Sequence, residues 1–307
     1  MGLGGPARVP DTARRPLADA PVSSSPQSSP GVLYVVATPI GNLGDLSPRA
    51  REVLGAVDLI AAEDTRHTRQ LLQHCGLNTA LTSMHEHTDA RKVGELVERL
   101  AGGESLALVS DAGTPLISDP GFALVAAARA AGIPVVAVPG PCAAVAAVSV
   151  AGLPTDRFAF EGFLPAKAAA RRARLQELKA EPRTLVFYEA PHRLAEALVD
   201  MAAAFGAARR ASVSRELTKR FETTYTDTLG ALAERAGQDS DMSRGEIVVV
   251  VEGESPETQR TVGGDAERML RILLEELPPA QAAKLTARLT GARRGELYER
   301  AVEWARK

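Results

Sequence analysis

Short apolar runs, each closed by a loop rich in glycine, proline and polar residues, recur along the first half of the chain. Val32–Val36, Asp58–Ala62, Ser105–Val109 and Ile133–Val138 are the length of strands and almost wholly apolar, the signature of strands buried on both faces of a parallel sheet. Between them the pattern changes to helical spacing. A helix is capped and started by Ser47-Pro48. Another takes Asp64 or Thr65 as its cap and runs to Leu72. A third spans about Arg91 to Leu100, and a fourth Phe122 to Ala131. A helix of small residues opens after Pro139-Gly140-Pro141-Cys142. Strands alternating with helices over residues 31–152 describe an α/β domain with a parallel sheet.

A second unit begins at Leu153-Pro154 and runs to residue 253. Phe158–Phe163 and Thr184–Tyr188 read as strands, with Pro191 in the first turn of a following helix. Ala211–Lys219 and Phe221–Thr226 read as a strand pair. Gly245–Val251 is too apolar for an edge facing water. This half is mixed α/β, so the fold class is two α/β domains with a helical appendage. Past Gly253 the chain is charged, then helical from about Asp265. Pro278-Pro279 breaks that run, and Ala280–Thr290 and Glu296–Lys307 continue it, giving a helical module over 262–307 of helix-turn-helix type. Residues 1–30, rich in Pro, Ser, Ala and Arg, read as a disordered tail. Asp11, Asp19 and the lack of an amphipathic period argue against a transit peptide.

Composition narrows the function classes. Apolar residues make up 45% of the 307 but aromatics only 4%, so the cores are built from Val, Leu and Ala. A net charge of −2 gives no global basic field, and any nucleic-acid partner must be held by a local patch. The two cysteines, Cys75 and Cys142, form no metal-binding pattern and fit a reducing cytoplasm. No apolar run approaches a membrane span.

Candidate chemistry gathers at the carboxyl ends of the strands. Ser110–Gly121, SDAGTPLISDPG, places two glycines and two prolines among Asp111, Thr114, Ser118 and Asp119. An ordinary strand-to-helix turn does not need those polar groups, whereas a ligand loop does. Glu63-Asp64-Thr65-Arg66-His67-Thr68-Arg69 follows the second strand; a helix cap explains one polar residue there, not the cluster. Gly41 and Gly44 lack the GxGxxG spacing of a dinucleotide fingerprint. His85 and His87 flank Glu86, but two-residue spacing sends them to different sides of a helix and no third ligand lies near, so no metal is expected. Lys167, Arg171, Arg172 and Arg174 begin a helix either as a solvated face or as a phosphate contact.

VATPIGNLGDLSPRA, AAEDTRHT, HEH, SDAGTPLISDPG, PGPCAA, FYEAPHR, RELTK and GEIVVVVEG occur in this order. Together they resemble the tetrapyrrole methylase superfamily, and within it the branch that methylates cytidine 2′-hydroxyls of 16S rRNA. The match covers Leu33 to Gly253, and the terminal helices resemble that branch's helical module. Thr88-Asp89 after HEH departs from the Asn-Glu of the pattern. The resemblance implies a homodimer, S-adenosylmethionine in a cleft between the two α/β domains, and as partner the 16S rRNA of the small ribosomal subunit at its decoding centre. It implies cofactor contacts at Pro39, Asp111, Gly113, Thr114, Pro115, Ile117, Ser118, Cys142 and Ala143, with Tyr188, Glu189 and Leu217 from the second domain.

A sulfonium with a zwitterionic tail and an adenine suits backbone groups in a partly apolar cleft, which Gly, Ala, Thr and Pro loops supply. Methyl transfer to a hydroxyl needs alignment and, for full rate, a base. Glu63, Asp64, Asp119, Glu189 and Glu216 are all candidates by position. Arg66, Arg69, Lys167, Arg171, Arg172 and Arg193 favour a phosphate-rich substrate. Two rival readings remain: a small-molecule or protein-modifying methylase of the same superfamily, and a non-catalytic RNA-binding protein on the same fold.

Overall fold

A computed structural model of the chain describes residues 30–85, 88–254 and 263–305. The tail up to Ser29 and the Glu86-His87 pair lie outside the described residues. The first domain holds β1 (Leu33–Val36), α1 (Pro48–Ala56), β2 (Leu59–Ala62), α2 (Thr65–Cys75), β3 (Leu81–Ser83), α3 (Ala90–Ala101), β4 (Leu106–Val109), α4 (Phe122–Ala130), β5 (Val135–Val138) and α5 (Ala143–Val150). Its sheet is parallel throughout, in the order β3-β2-β4-β1-β5. The fully buried β4, Leu-Ala-Leu-Val, sits at its centre and delivers Ser110–Gly121 at the carboxyl edge. Helices cover both faces, one around Leu96, Leu106 and Leu124 and the other around Leu54, Ile60 and Leu72.

Within this domain two strands differ from the sequence reading, and in the second domain the strand expected over Ala211–Lys219 ends at Arg215, because Glu216 and Thr218 turn the chain at positive φ. β3 adds a sheet edge that its three residues, Leu-Thr-Ser, are too few to announce by periodicity. β5 was expected buried, yet it pairs only with β1 and leaves Ala137 exposed, because no further strand covers it.

The second domain holds β6 (Phe158–Phe163), α6 (Ala168–Glu177), β7 (Thr184–Glu189), α7 (Leu194–Phe205), β8 (Arg210–Arg215), β9 (Thr223–Thr228), α8 (Leu229–Gln238) and β10 (Ile247–Val251). Its sheet runs β6-β7-β10-β8-β9, with β6 parallel to β7 and the remaining pairs antiparallel. The apolar β10 lies at the centre, and period-2 alternation explains why all five of its residues are apolar. Ile247, Val249 and Val251 face α6, α7 and α8 with Phe187 and Leu198. Val248 and Val250 face the other way, onto Ala144, Ala147 and Val148 of α5. The small side chains of α5 thus let the first domain pack closely on the second sheet, and this contact fixes the cleft between them.

Three further helices, α9 (Gly263–Glu276), α10 (Pro279–Thr290) and α11 (Arg294–Ala305), close around their own core of Leu270, Ala282, Ala283, Leu297 and Ala301. Pro278-Pro279 starts α10, and Gly291 in left-handed conformation ends it.

Candidate active site

At the carboxyl edge of the first sheet, beneath the second domain, lies a cavity of about 300 Å³. Its floor is the loop after β4. Gly113 N–H and C=O bridge to Thr38 in the loop after β1, at 3.1 and 2.9 Å. Gly113 has φ +81°, and a Cβ there would stand 3.3 Å from Ile40 Cγ2, so both conformation and space call for glycine. Thr114 Oγ1 donates to the Pro141 carbonyl at 2.9 Å and ties this loop to the start of α5. From the opposite wall, the Tyr188 hydroxyl accepts from Ala144 N–H at 3.2 Å, and Phe160 and Phe163 meet its ring edge-on. Burial pushes the Tyr188 hydroxyl well above its ordinary pKa, so it stays neutral.

Asp119, Glu189 and Glu246 line this space, and Glu63 and Asp64 stand outside it just past the end of β2. Glu189 is fully buried; Oε1 accepts from Ala190 N–H at 2.8 Å and lies 3.3 Å from Arg193 Nε, while Oε2 has no partner among the described residues. Burial raises its pKa. Burial also pushes Asp119 up to about 6; a hydrogen bond from Ser110 opposes this, and the charges of Glu63 and Asp111 add to it. Glu63 is raised by burial against a hydrogen bond from Asp111 N–H. Asp64 moves the other way: hydrogen bonds from the Arg66 guanidinium hold it well below the usual range. It caps α2, accepting from Arg66 N–H at 2.8 Å, and both oxygens are engaged. Helix capping, not proton transfer, is the role this geometry gives Asp64.

A second, more polar space of about 620 Å³ adjoins the first and shares Ile40, Ala112 and Glu246 with it. His67 and Asp111 line it from the first domain, with His67 Nδ1 3.2 Å from Asp111 Oδ2. Lys219 crosses from the second domain, bonding Glu216 at 2.8 Å and Glu246 at 3.0 Å. Its stem lies on Gly41, where any Cβ would collide with it.

Gly113, Thr114, Ile117, Ser118, Ala143, Tyr188, Glu189 and Leu217 all line the cavity. Pro39 and Asp111 line the adjoining cleft instead, Pro115 is buried within its loop, and Cys142 stands at the cap of α5. Sequence reasoning missed Ile40, Phe163 and the Gly245–Val248 wall. The glycine before the most apolar strand was the available signal for that wall.

The cations divide. Arg66, Arg69, Lys167 and Arg172 are exposed. Arg174 pairs with Glu161 and Glu177. Arg171 corrects the expectation: its side chain is 3% exposed, with Nε 2.7 Å from Asp200 and Nη2 3.2 Å from Glu196 of α7. It sits one turn before the buried Leu175, on the face of α6 that packs against the domain, and is not free to take a phosphate. Arg193 is likewise engaged, donating to the Leu164 and Pro165 carbonyls at 2.7 and 3.2 Å. Among the described residues no group of His, Cys, Asp or Glu is arranged to hold a metal ion, and no helix is long and apolar enough to cross a membrane.

Solved methyltransferases share this two-sheet architecture. The methyltransferase CobJ (TM-score 0.55, 19% identity, 73% of this chain and 95% of that one) and uroporphyrin-III C-methyltransferase from Thermus thermophilus (0.51, 21%, 72% and 94%) show the fold. A family model described as Tetrapyrrole (Corrin/Porphyrin) Methylases matches residues 32–233, and one described as RsmI C-terminal HTH domain matches 261–305. The chain belongs to the tetrapyrrole methylase family, in the branch of ribosomal RNA small subunit methyltransferase I. It is 57% identical over 276 residues to the Pseudomonas aeruginosa protein of that name, covering 90% of this chain and 98% of the relative. It is 50% identical over 279 residues to the one from Escherichia coli O157:H7, covering 91% and 97%.

Membership in this family makes S-adenosylmethionine the methyl donor. The residues present fit it. The cavity is apolar and small, Gly113 leaves its floor open, and the orphaned Glu189 Oε2 offers a buried acceptor to an ammonium or hydroxyl.

Proposed function

We propose that this chain methylates the 2′-hydroxyl of a cytidine in the 16S rRNA of the small ribosomal subunit, at its decoding centre, acting as a homodimer in the cytoplasm. One observation carries the reading: a small apolar cavity suited to the donor opens beside a wider polar cleft, and the two share a wall. A nucleotide entering the cleft brings its ribose toward that wall. The relatives' shared name, ribosomal RNA small subunit methyltransferase I, points the same way.

The bound donor supplies an electrophilic methyl carbon on a sulfonium. The chain's residues do the rest. Gly113, Thr114 and Ile117 hold the donor's shape through backbone and apolar contact, and Glu189 Oε2 takes a polar hydrogen of it. Tyr188, locked onto Ala144 N–H, keeps the two domains in register so that acceptor oxygen and methyl carbon stay in line. Arg66, Arg69, Lys167 and Arg172 remain the exposed cations for RNA phosphates.

The test is transfer of labelled methyl from S-adenosylmethionine to 30S particles lacking the modification, followed by mapping of the modified nucleotide. Label on a cytidine 2′-oxygen supports the reading. Label on a base, on a ribosomal protein, or none at all overturns it.

A further inference from the structure

We infer that His67, oriented by Asp111, is the general base that takes the acceptor hydroxyl's proton. The inference rests on the proposed function, since it names the base for that same reaction.

Three observations place a poised imidazole at the cleft. First, Nδ1 faces a carboxylate oxygen at 3.2 Å, and a carboxylate at neutral pH only accepts, so Nδ1 carries the hydrogen. Nε2 is then the basic nitrogen, and it has no partner among the described residues. Second, Asp111 is itself held. Its Oδ1 accepts from Asp64 N–H at 2.9 Å, and its own N–H donates to Glu63 Oε2 at 3.3 Å. The orienting carboxylate is thus pinned to the start of α2, the helix that carries His67. Third, His67 lines the polar cleft rather than the donor cavity, which is where the acceptor nucleotide belongs. Base, orienter and an adjoining electrophile site make up the arrangement that general-base catalysis requires.

The competing carboxylates are less well placed. Asp64 is committed to Arg66 and the helix cap, Glu63 to Asp111 N–H, and Glu189 is sealed inside the donor cavity. Asp119 faces the donor cavity and not the cleft. The groups around His67 are Asp111 from the loop after β4, Asp64 and Arg66 at the start of its own helix, and Lys219 and Glu246 across the cleft. Lys219 is shared between two carboxylates.

In the step itself the ribose oxygen forms its bond to the methyl carbon as the carbon–sulfur bond breaks and that electron pair returns to sulfur. The hydroxyl proton passes to His67 Nε2 and from there to water. No other reactant is needed.

His67 is 61% exposed, so its replacement leaves the fold intact. His67→Asn is expected to lower kcat on 30S particles by roughly 10²–10⁴-fold, the usual contribution of a positioned base, with calorimetric S-adenosylmethionine affinity unchanged. The parent's log kcat should rise with pH along a limb of unit slope that the variant lacks. Added imidazole should restore rate to His67→Gly, and Asp111→Asn should lower kcat and displace the limb. A His67→Asn enzyme with the parent's kcat, or with the parent's limb intact, overturns the assignment while leaving the proposed function standing. A parent enzyme that transfers no methyl to 30S particles overturns both.

Discussion

Replacing Arg171 by Ala separates the two roles that the sequence allows for the basic start of α6. The side chain is 3% exposed and Asp200 10%, and their contact at 2.7 Å is the principal neutralisation of a buried carboxylate on α7. Removing the guanidinium leaves Asp200 charged and enclosed, a loss of the kind that costs about 3–5 kcal/mol. Arg172 Nη1, 3.8 Å from the other oxygen of Asp200, offsets part of it, which favours the low end, about 3 kcal/mol. At that size Tm falls by roughly 10 °C in thermal melts followed by circular dichroism. Replacing the pair together, Arg171→Met with Asp200→Leu, should recover most of the loss, because an apolar pair avoids the desolvation of both charges. Affinity for 30S particles, measured well below Tm across a salt series, should keep the parent's slope in both variants. A phosphate contact predicts the reverse: unchanged Tm, and a slope flatter by about 0.7. That result would refute the structural role argued for Arg171.

Gly113→Val places a β-branched residue at φ +81° against Ile40 and should abolish measurable S-adenosylmethionine binding by calorimetry while far-UV circular dichroism is retained. Glu189→Gln leaves size and burial alone but removes a charged acceptor, so donor affinity should fall by about 10–100-fold, the worth of one hydrogen bond to a charged group; unchanged affinity would place Oε2 outside the donor's reach. Asp119 is raised to about 6, so its buried charge opposes folding increasingly as pH climbs from the ordinary Asp range through 6. Asp119→Asn should therefore raise Tm at pH 8 and change it little at pH 4, and equal shifts at both would contradict the burial argument.

How far the sequence discloses this molecule depends on whether the information is local. Val32–Val36 and Ser105–Val109 announce strands because both faces of the sheet are covered, leaving their residues buried or half-buried whichever face they meet. Gly245–Val251 announces a central strand for the same reason, although only the structure shows that Val248 and Val250 are apolar for the sake of α5, another domain's helix. The Ser110–Gly121 loop is legible from residues whose backbone demands are local. The Arg171–Asp200 pair is not: twenty-nine residues and a strand separate its members, and nothing near Arg171 distinguishes it from exposed Arg172. β3 and α8 escaped for different causes. β3 is three residues long, and α8, Leu229–Gln238, follows directly on β9 with only the Thr228 cap to mark it. His67 lay in view within EDTRHT, but its pairing with Asp111 across 44 residues is a product of the parallel sheet, which sets the ends of β2 and β4 side by side.

The two walls of the apolar cavity use the same backbone device. Among the described residues four that are not glycine have positive φ: Leu116, Ser118, Glu216 and Thr218. Leu116 and Ser118 flank Ile117 in the first domain, and Glu216 and Thr218 flank Leu217 in the second. Ile117 and Leu217 both line the cavity. A left-handed residue on each side turns the chain twice within three positions and delivers the middle side chain inward from a segment too short to be a strand. Each such residue costs roughly 1–2 kcal/mol, which local preference alone would relax. Their neighbours prevent it: Glu216 N–H bonds the Glu246 carbonyl at 2.9 Å, and Thr218 N–H bonds Glu222. On the other wall, Ile117 N–H bonds the Thr114 carbonyl at 3.3 Å. Among the described non-glycine residues, positive φ is confined to these two walls. The polar cleft beside it carries no such strain at His67 or Lys219 and is shaped by charge pairs instead.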